Sequence, residues 1–200
     1  MNGRPGLDVS QLPAYAIGPR GLLWWGTLGM VAIEGTMFAI FIVAYFYLRS
    51  SAIEWPPNLP PPDLWYGTLN TLILLASTLP NQWVLKAAER QDSRAVRLGL
   101  LLCLVFGLAF STLRAFEFPA LNCSWDSNAY GSAVWTLLGF HTLHLVTDVL
   151  DTAVLTIVMF TRRIEGRRFS DVSENSVYWY FVVGAWIPVY SVIYLAPRLI

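Results

Sequence analysis

Five separate stretches of this 200-residue chain stay apolar for roughly 20 residues or more. Crossing a hydrocarbon core about 30 Å thick takes roughly 20 such residues in helical form. The stretches run over 22–48, 65–85, 98–118, 130–161 and 177–195. Backbone in lipid must satisfy its own hydrogen bonds, which leaves helices or a closed barrel, and no period-two alternation marks strands. The expected fold is all-α: an integral membrane bundle of five transmembrane helices. Residues 1–21 form a cytoplasmic N-terminal segment, and 22–200 the transmembrane domain. The fourth stretch exceeds a perpendicular crossing, so it is expected to tilt or protrude. Charged residues make up 13% of the chain, against about 25% in ordinary globular proteins. A formal net charge of zero provides no electrostatic footprint for nucleic acid.

The connections specify an orientation. With the N-terminus inside, one side holds Arg4, Arg20, Lys86, Arg90, Arg94, Arg97, Arg162, Arg163, Arg167 and Arg168, and the other only Arg49 and Arg198. Basic residues stay on the cytoplasmic side, so the N-terminus is expected inside and the C-terminus outside. An even number of spans would destroy this asymmetry. Trp24, Trp25, Trp83 and Trp179 fall toward inner ends, and Trp55, Trp65 and Trp125 toward the outer side, as aromatic belts require. The segment "WPPNLPPPD" (55–63) is too proline-rich for helix and is expected to be a stiff outer loop. The first 20 residues contain no apolar run resembling a signal peptide. Cys103 and Cys123 are isolated, one mid-span and one in a loop, which indicates neither a disulfide nor a metal motif.

The ionisable groups inside the spans are the candidate functional residues. Glu34 lies 12 residues into the first span, about 18 Å deep at 1.5 Å per residue. Asp148 lies 13 residues from the inner end of the fourth, about 20 Å deep by the same rise. His141, His144, Asp148 and Asp151 follow i, i+3, i+7, i+10, one stripe of a helix. A charge at the bilayer centre costs at least about 2.5 kcal/mol, so the stripe should face protein or water. It can act as polar glue between helices, as a proton- or lipid-linked site, or as metal ligands. For a metal it lacks a third histidine, and carboxylates suit harder ions. Arg114 and Glu117, spaced i, i+3 near the outer end of the third span, can pair along one helix as a structural pair. Histidines on a single helix do not suit a bis-histidine haem, and no haem-attachment, nucleotide-binding or nucleophile motif is present.

Five motifs in order resemble subunit III of the haem–copper terminal oxidases, over about residues 22–194. "IEGTMFAIFIVAYFYLR" (33–49) is similar to that family's glutamate-bearing helix, with Glu34 in the place of its intramembrane acid. "LNTLILLAST" (69–78) resembles its Leu-Asn-Thr helix. "LRAFEF" (113–118) resembles its Leu-Gln-x-x-Glu-Tyr signature, with Glu117 as the acid. "YGSAVWTLLGFHTLHLV" (130–146) is similar to its most specific motif, His141 and His144 matching the two histidines. "YWYFVVGAWIPVYSVIY" (178–194) resembles its last helix. Members often have seven spans, and this chain resembles a five-span form without the first two. Arg114 stands where the family often has Gln, Asp148 where it has Gly, and Tyr180 and Val183 where it usually has His and Asp.

The resemblance implies an accessory subunit of a cytochrome c oxidase-type complex that reduces O2 and translocates protons in a bacterial cytoplasmic membrane. It implies no cofactor on this chain, with haem and copper in a partner catalytic subunit I. Other oxidase subunits and membrane phospholipid are further partners. The expected roles are stabilising the catalytic subunit and aiding proton uptake, with Glu34, His141, His144 and Asp148 as the buried proton- or lipid-linked groups. The accessory subunit of nitric oxide reductase and a small ion transporter are the alternative functions.

Overall fold

The computed structural model describes residues 21–161 and 166–199. The expected N-terminal segment up to residue 20, and Arg162 and Arg163, lie outside the described residues. Everything regular within them is helical, in five rods. The first is α1 (Leu22–Ser50). The second is broken into α2 (Leu64–Ala76) and α3 (Thr78–Glu89). The third and fourth are α4 (Ser93–Ala120) and α5 (Ala129–Thr161). The fifth runs through α6 (Gly166–Tyr190), a π-helical turn at Ser191–Leu195, and α7 (Ala196–Leu199). Four rods are long and apolar enough to cross a membrane as continuous helices.

The second rod is interrupted at Ser77 for a local reason. Pro80 cannot donate to the helical ladder, and its ring crowds the carbonyl four residues earlier, on Ala76, where α2 stops. The Ser77 hydroxyl donates to the Leu74 carbonyl at 2.6 Å and accepts the Trp179 indole N–H at 2.9 Å. The break thus becomes a docking point for α6. Trp179 is buried inside the bundle and not in an aromatic belt as its position suggested. Helix starts are capped where the sequence supplies acids. The Asp63 carboxylate accepts from the Trp65 N–H, and Asp92 from the N–H groups of Arg94 and Ala95, satisfying donors that the first turn leaves open. Pro188 sits inside α6, and the helix continues past it into the π turn.

Four rods close a ring: α2–α3 packs on α4, α4 on α5, α5 on α6, and α6 back on α2–α3. The remaining rod, α1, lies in the seam between α5 and α6. Only Phe38 and Tyr45 of α1 are buried, while Ile33, Ile40, Val43 and Tyr47 point outward. The larger core holds Phe38, Tyr45, Leu74, Phe110, Leu137 and Trp186. A smaller one, with Val84, Val96, Cys103, Met159 and Phe169, fills the end of the bundle where α4 begins. Trp55 leaves the loop to pack edge-on against Tyr45 and Tyr130, with ring centroids 5.3 and 5.2 Å apart.

Candidate functional site

Three members of the stripe on α5, His141, His144 and Asp148, face protein, and they serve different neighbours. His141 is fully buried. Its Nε2–H donates to the Val182 carbonyl on α6 at 3.0 Å, and its Nδ1 faces the Arg114 guanidinium at 3.5 Å. One ring proton serves both contacts, so a neutral imidazole fits the pocket. Arg114 on α4 forms an ion pair with Glu117 Oε2 at 3.0 Å, and both side chains are only 1% exposed. The sequence placed this pair along the helix near the outer surface; the fold buries it between helices. The guanidinium carbon lies 4.1 Å from the Trp186 ring and 4.7 Å from the Phe110 ring, a cation flanked by two aromatic rings. Glu117 also accepts hydrogen bonds from the Asn70 amide on α2 and the Tyr194 hydroxyl on the π turn. Glu117 therefore ties three rods together. Buried ion pairs of this kind resist removal of either member.

His144 turns to the other side of α5. Its Nδ1–H donates to the Phe140 carbonyl at 2.6 Å, which leaves Nε2 pointing at Glu34 Oε2 on α1, 3.7 Å away. That distance permits ion pairing but exceeds a hydrogen bond. The same carboxylate oxygen accepts the Tyr178 hydroxyl from α6 at 2.8 Å. Glu34 meets His144 and not His141, and Phe38 on α1 packs beside both imidazoles, with centroids 5.1 and 6.3 Å away.

Asp148 is 2% exposed. Its Oδ1 accepts from the Asn175 amide at 3.3 Å, and the same amide reaches Asp151 Oδ2 at 3.2 Å and Thr152 Oγ1 at 3.2 Å. Asp151 is exposed. A cavity of about 320 Å³ opens here, lined on α1 by Thr27, Met30 and Glu34, on α5 by Asp148 and Asp151, and on α6 by Asp171, Glu174 and Tyr178. A second, about 180 Å³, reaches Glu34, His144 and Tyr178. The site thus joins Glu34, His144 and Asp148 along one wall, with His141, Arg114 and Glu117 forming a separate buried cluster. Among the described residues, no three His, Cys, Asp or Glu side chains converge to ligate a metal ion directly.

Asn70, Asn175, Tyr178, Trp186 and Tyr194 complete these clusters, and sequence reasoning did not single them out. Their signal was weak but present. Asn70 is an amide set amid the apolar first half of the charge-free second span, and Asn175 and Tyr178 stand one helical turn apart at the polar start of α6.

Comparison with known proteins follows the same residues. The chain matches the family described as "Cytochrome c oxidase subunit III" over residues 19–197. It is 27% identical over 176 residues to "Cytochrome c oxidase subunit 3" of Thermostichus vulcanus, covering 86% of this chain and 87% of that one. It is 31% identical over 173 residues to "Probable cytochrome c oxidase subunit 3" of Mycobacterium tuberculosis, covering 84% and 85%. It is also 28% identical over 186 residues to "Heme-copper oxidase subunit I+III" of Aeropyrum pernix, covering 88% of this chain and 22% of the longer protein. With a family match across nine-tenths of its length and membrane-length apolar helices to carry it, this multi-pass chain belongs to the cytochrome c oxidase subunit III family.

Proposed function

We propose that the chain is the accessory subunit III of a bacterial terminal oxidase and that it assists proton supply to, and stabilises, the catalytic subunit beside it. The partner, subunit I, holds the haem and copper, and this chain holds no redox centre. A relative in which parts named I and III form one polypeptide supports that adjacency. The charge asymmetry of the loops supports an N-terminus inside the cytoplasmic membrane and a C-terminus outside.

The observation that carries the proton role is the contact of Glu34 with Tyr178 and His144, beside a cavity lined by further carboxylates. A carboxylate and an imidazole are both able to take up and release protons, and at 3.7 Å a single water between them would link the two. Tyr178 fixes the carboxylate's direction. The buried cluster around Glu117 holds α2, α4 and the π turn in register and leaves the α1–α5–α6 seam as the proton-bearing wall.

The test has two arms. The tagged chain, purified in mild detergent, should bring with it the oxidase haem spectrum and subunit I. Recovery alone with bound ion would instead indicate a transporter, and recovery with a nitric oxide-reducing complex the other oxidoreductase. In the intact complex, Glu34→Ala should slow turnover and proton uptake while haem content stays constant. Unchanged turnover, uptake and complex stability would refute a role for Glu34.

A further inference from the structure

The cavity between α1, α5 and α6 has a charge imbalance that the histidine–glutamate contact does not resolve. Five carboxylates line it: Glu34, Asp148, Asp151, Asp171 and Glu174. Glu34 faces His144, and Asp171 pairs with Arg168 at 3.3 Å. Asp148, Asp151 and Glu174 make no ion pair among the described residues. Asp148 is 2% and Glu174 8% exposed. Asp148 Oδ2 is shut away from solvent without a hydrogen-bond partner, and the buried Glu174 carboxylate has the Thr27 hydroxyl as its nearby donor. A buried acceptor left without a partner costs free energy until a donor or a cation reaches it.

The geometry points to a binding site for a hydrated divalent cation of the magnesium type in this cavity, held through its water shell by Asp148, Asp151 and Glu174. Three features select that ligand. Carboxylates from three helices dominate the cavity's polar lining, with neither cysteine nor histidine and with Met30 as the one sulfur-bearing neighbour, which suits a hard cation. No three acidic groups converge for direct ligation among the described residues, so an ion with its waters intact is a better match than a bare one. Six waters at about 30 Å³ each occupy roughly 180 Å³, and the cavity offers about 320 Å³. Magnesium sheds water reluctantly and is commonly held by one or two carboxylates with several waters retained. The waters would donate to Asp148 Oδ2, supplying the partner it lacks, and to Glu174. Asn175, whose amide already bridges Asp148 and Asp151, would orient the α5 wall.

This site is independent of whether Glu34 aids proton uptake. It is tested by titrating the detergent-purified oxidase complex with Mn2+ and counting bound ions per copy of this chain from the electron paramagnetic resonance of free Mn2+. Mg2+ should compete for one site. Asp148→Asn should weaken that site by about 10–100-fold, the usual effect of losing a group that holds a metal's waters, with the remaining sites unchanged. Asp151→Asn, exposed at the mouth and outside the packed core, should weaken the same site and covers the case in which Asp148→Asn dislodges the subunit. Equal Mn2+ counts and affinities in wild type and Asp151→Asn, or a site that Mg2+ cannot displace, would overturn the assignment. Protons alone would then neutralise the cavity. Loss of haem on purification would bear on the subunit assignment and leave the ion count intact.

Discussion

Glu117→Gln should be among the most damaging single changes in the chain. The ion pair with Arg114 is 3.0 Å long and both side chains are 1% exposed. Removing one charge from such a buried pair strands the other, at about 3–5 kcal/mol. The glutamine oxygen must also serve donors that now share a carboxylate: the guanidinium, the Asn70 amide and the Tyr194 hydroxyl. Arg114→Gln should cost less, because a stranded glutamate can bind a proton whereas an arginine cannot lose one. The double variant Arg114→Gln, Glu117→Gln should recover most of the loss, since a buried ion pair contributes little net stability over a neutral replacement of similar shape. The assay is reversible unfolding in mixed detergent–dodecyl sulfate micelles, followed by the fluorescence of the nine tryptophans. Trp186, 4.1 Å from Arg114, reports the site itself. A coupling energy of about 2 kcal/mol or more is expected. Single-variant costs that add within about 0.5 kcal/mol, the range found for independent sites, would refute the account of the cluster as one unit.

Gly67→Ala should cost about 1–3 kcal/mol in the same assay, the usual penalty of overpacking, because a Cβ there would collide with the Tyr194 ring that donates to Glu117; an unaffected variant would mean the ring moves freely. Asp92→Ala should lose about 1 kcal/mol, the value of an N-cap, since Asp92 accepts two N–H groups at the start of α4. Burial pushes the Cys123 thiol above its ordinary range. The thiolate is the reactive form, so in a Cys103→Ser background its alkylation rate should still be climbing with pH where an exposed thiol has levelled off. A plateau near pH 8.5, the ordinary thiol value, would contradict that. The same thiol, labelled in sealed vesicles with an impermeant maleimide, should react only from the outside if the N-terminus is inside.

The number of rods and their order were legible because apolar run length is a local property that lipid enforces residue by residue. The break at Ser77 was written in Pro80 but hidden by a run that stays apolar across it. What hydropathy does not carry is which neighbour each face meets. Trp179 lies near the inner end of its span, yet it turns inward to Ser77, because an indole packed against the broken rod gains burial and a hydrogen-bond partner together. The stripe on α5 shows the limit most clearly. Each helical residue advances by about 100°, so His141 and Asp148 lie about 20° apart, while His144 is about 60° from His141 and Asp151 about 80°. One stripe in sequence is therefore a fan of directions in space. His141 reaches α4 and α6, His144 reaches α1, and Asp148 reaches Asn175 on α6. The spacing predicted a common face, whereas the packing of three rods around α5 divided it into an arginine cluster, a histidine–glutamate contact and a carboxylate cavity. Only the first is closed on every side. The other two lie along the seam of α1, the rod with the least burial, where a partner or an ion can still change their charge.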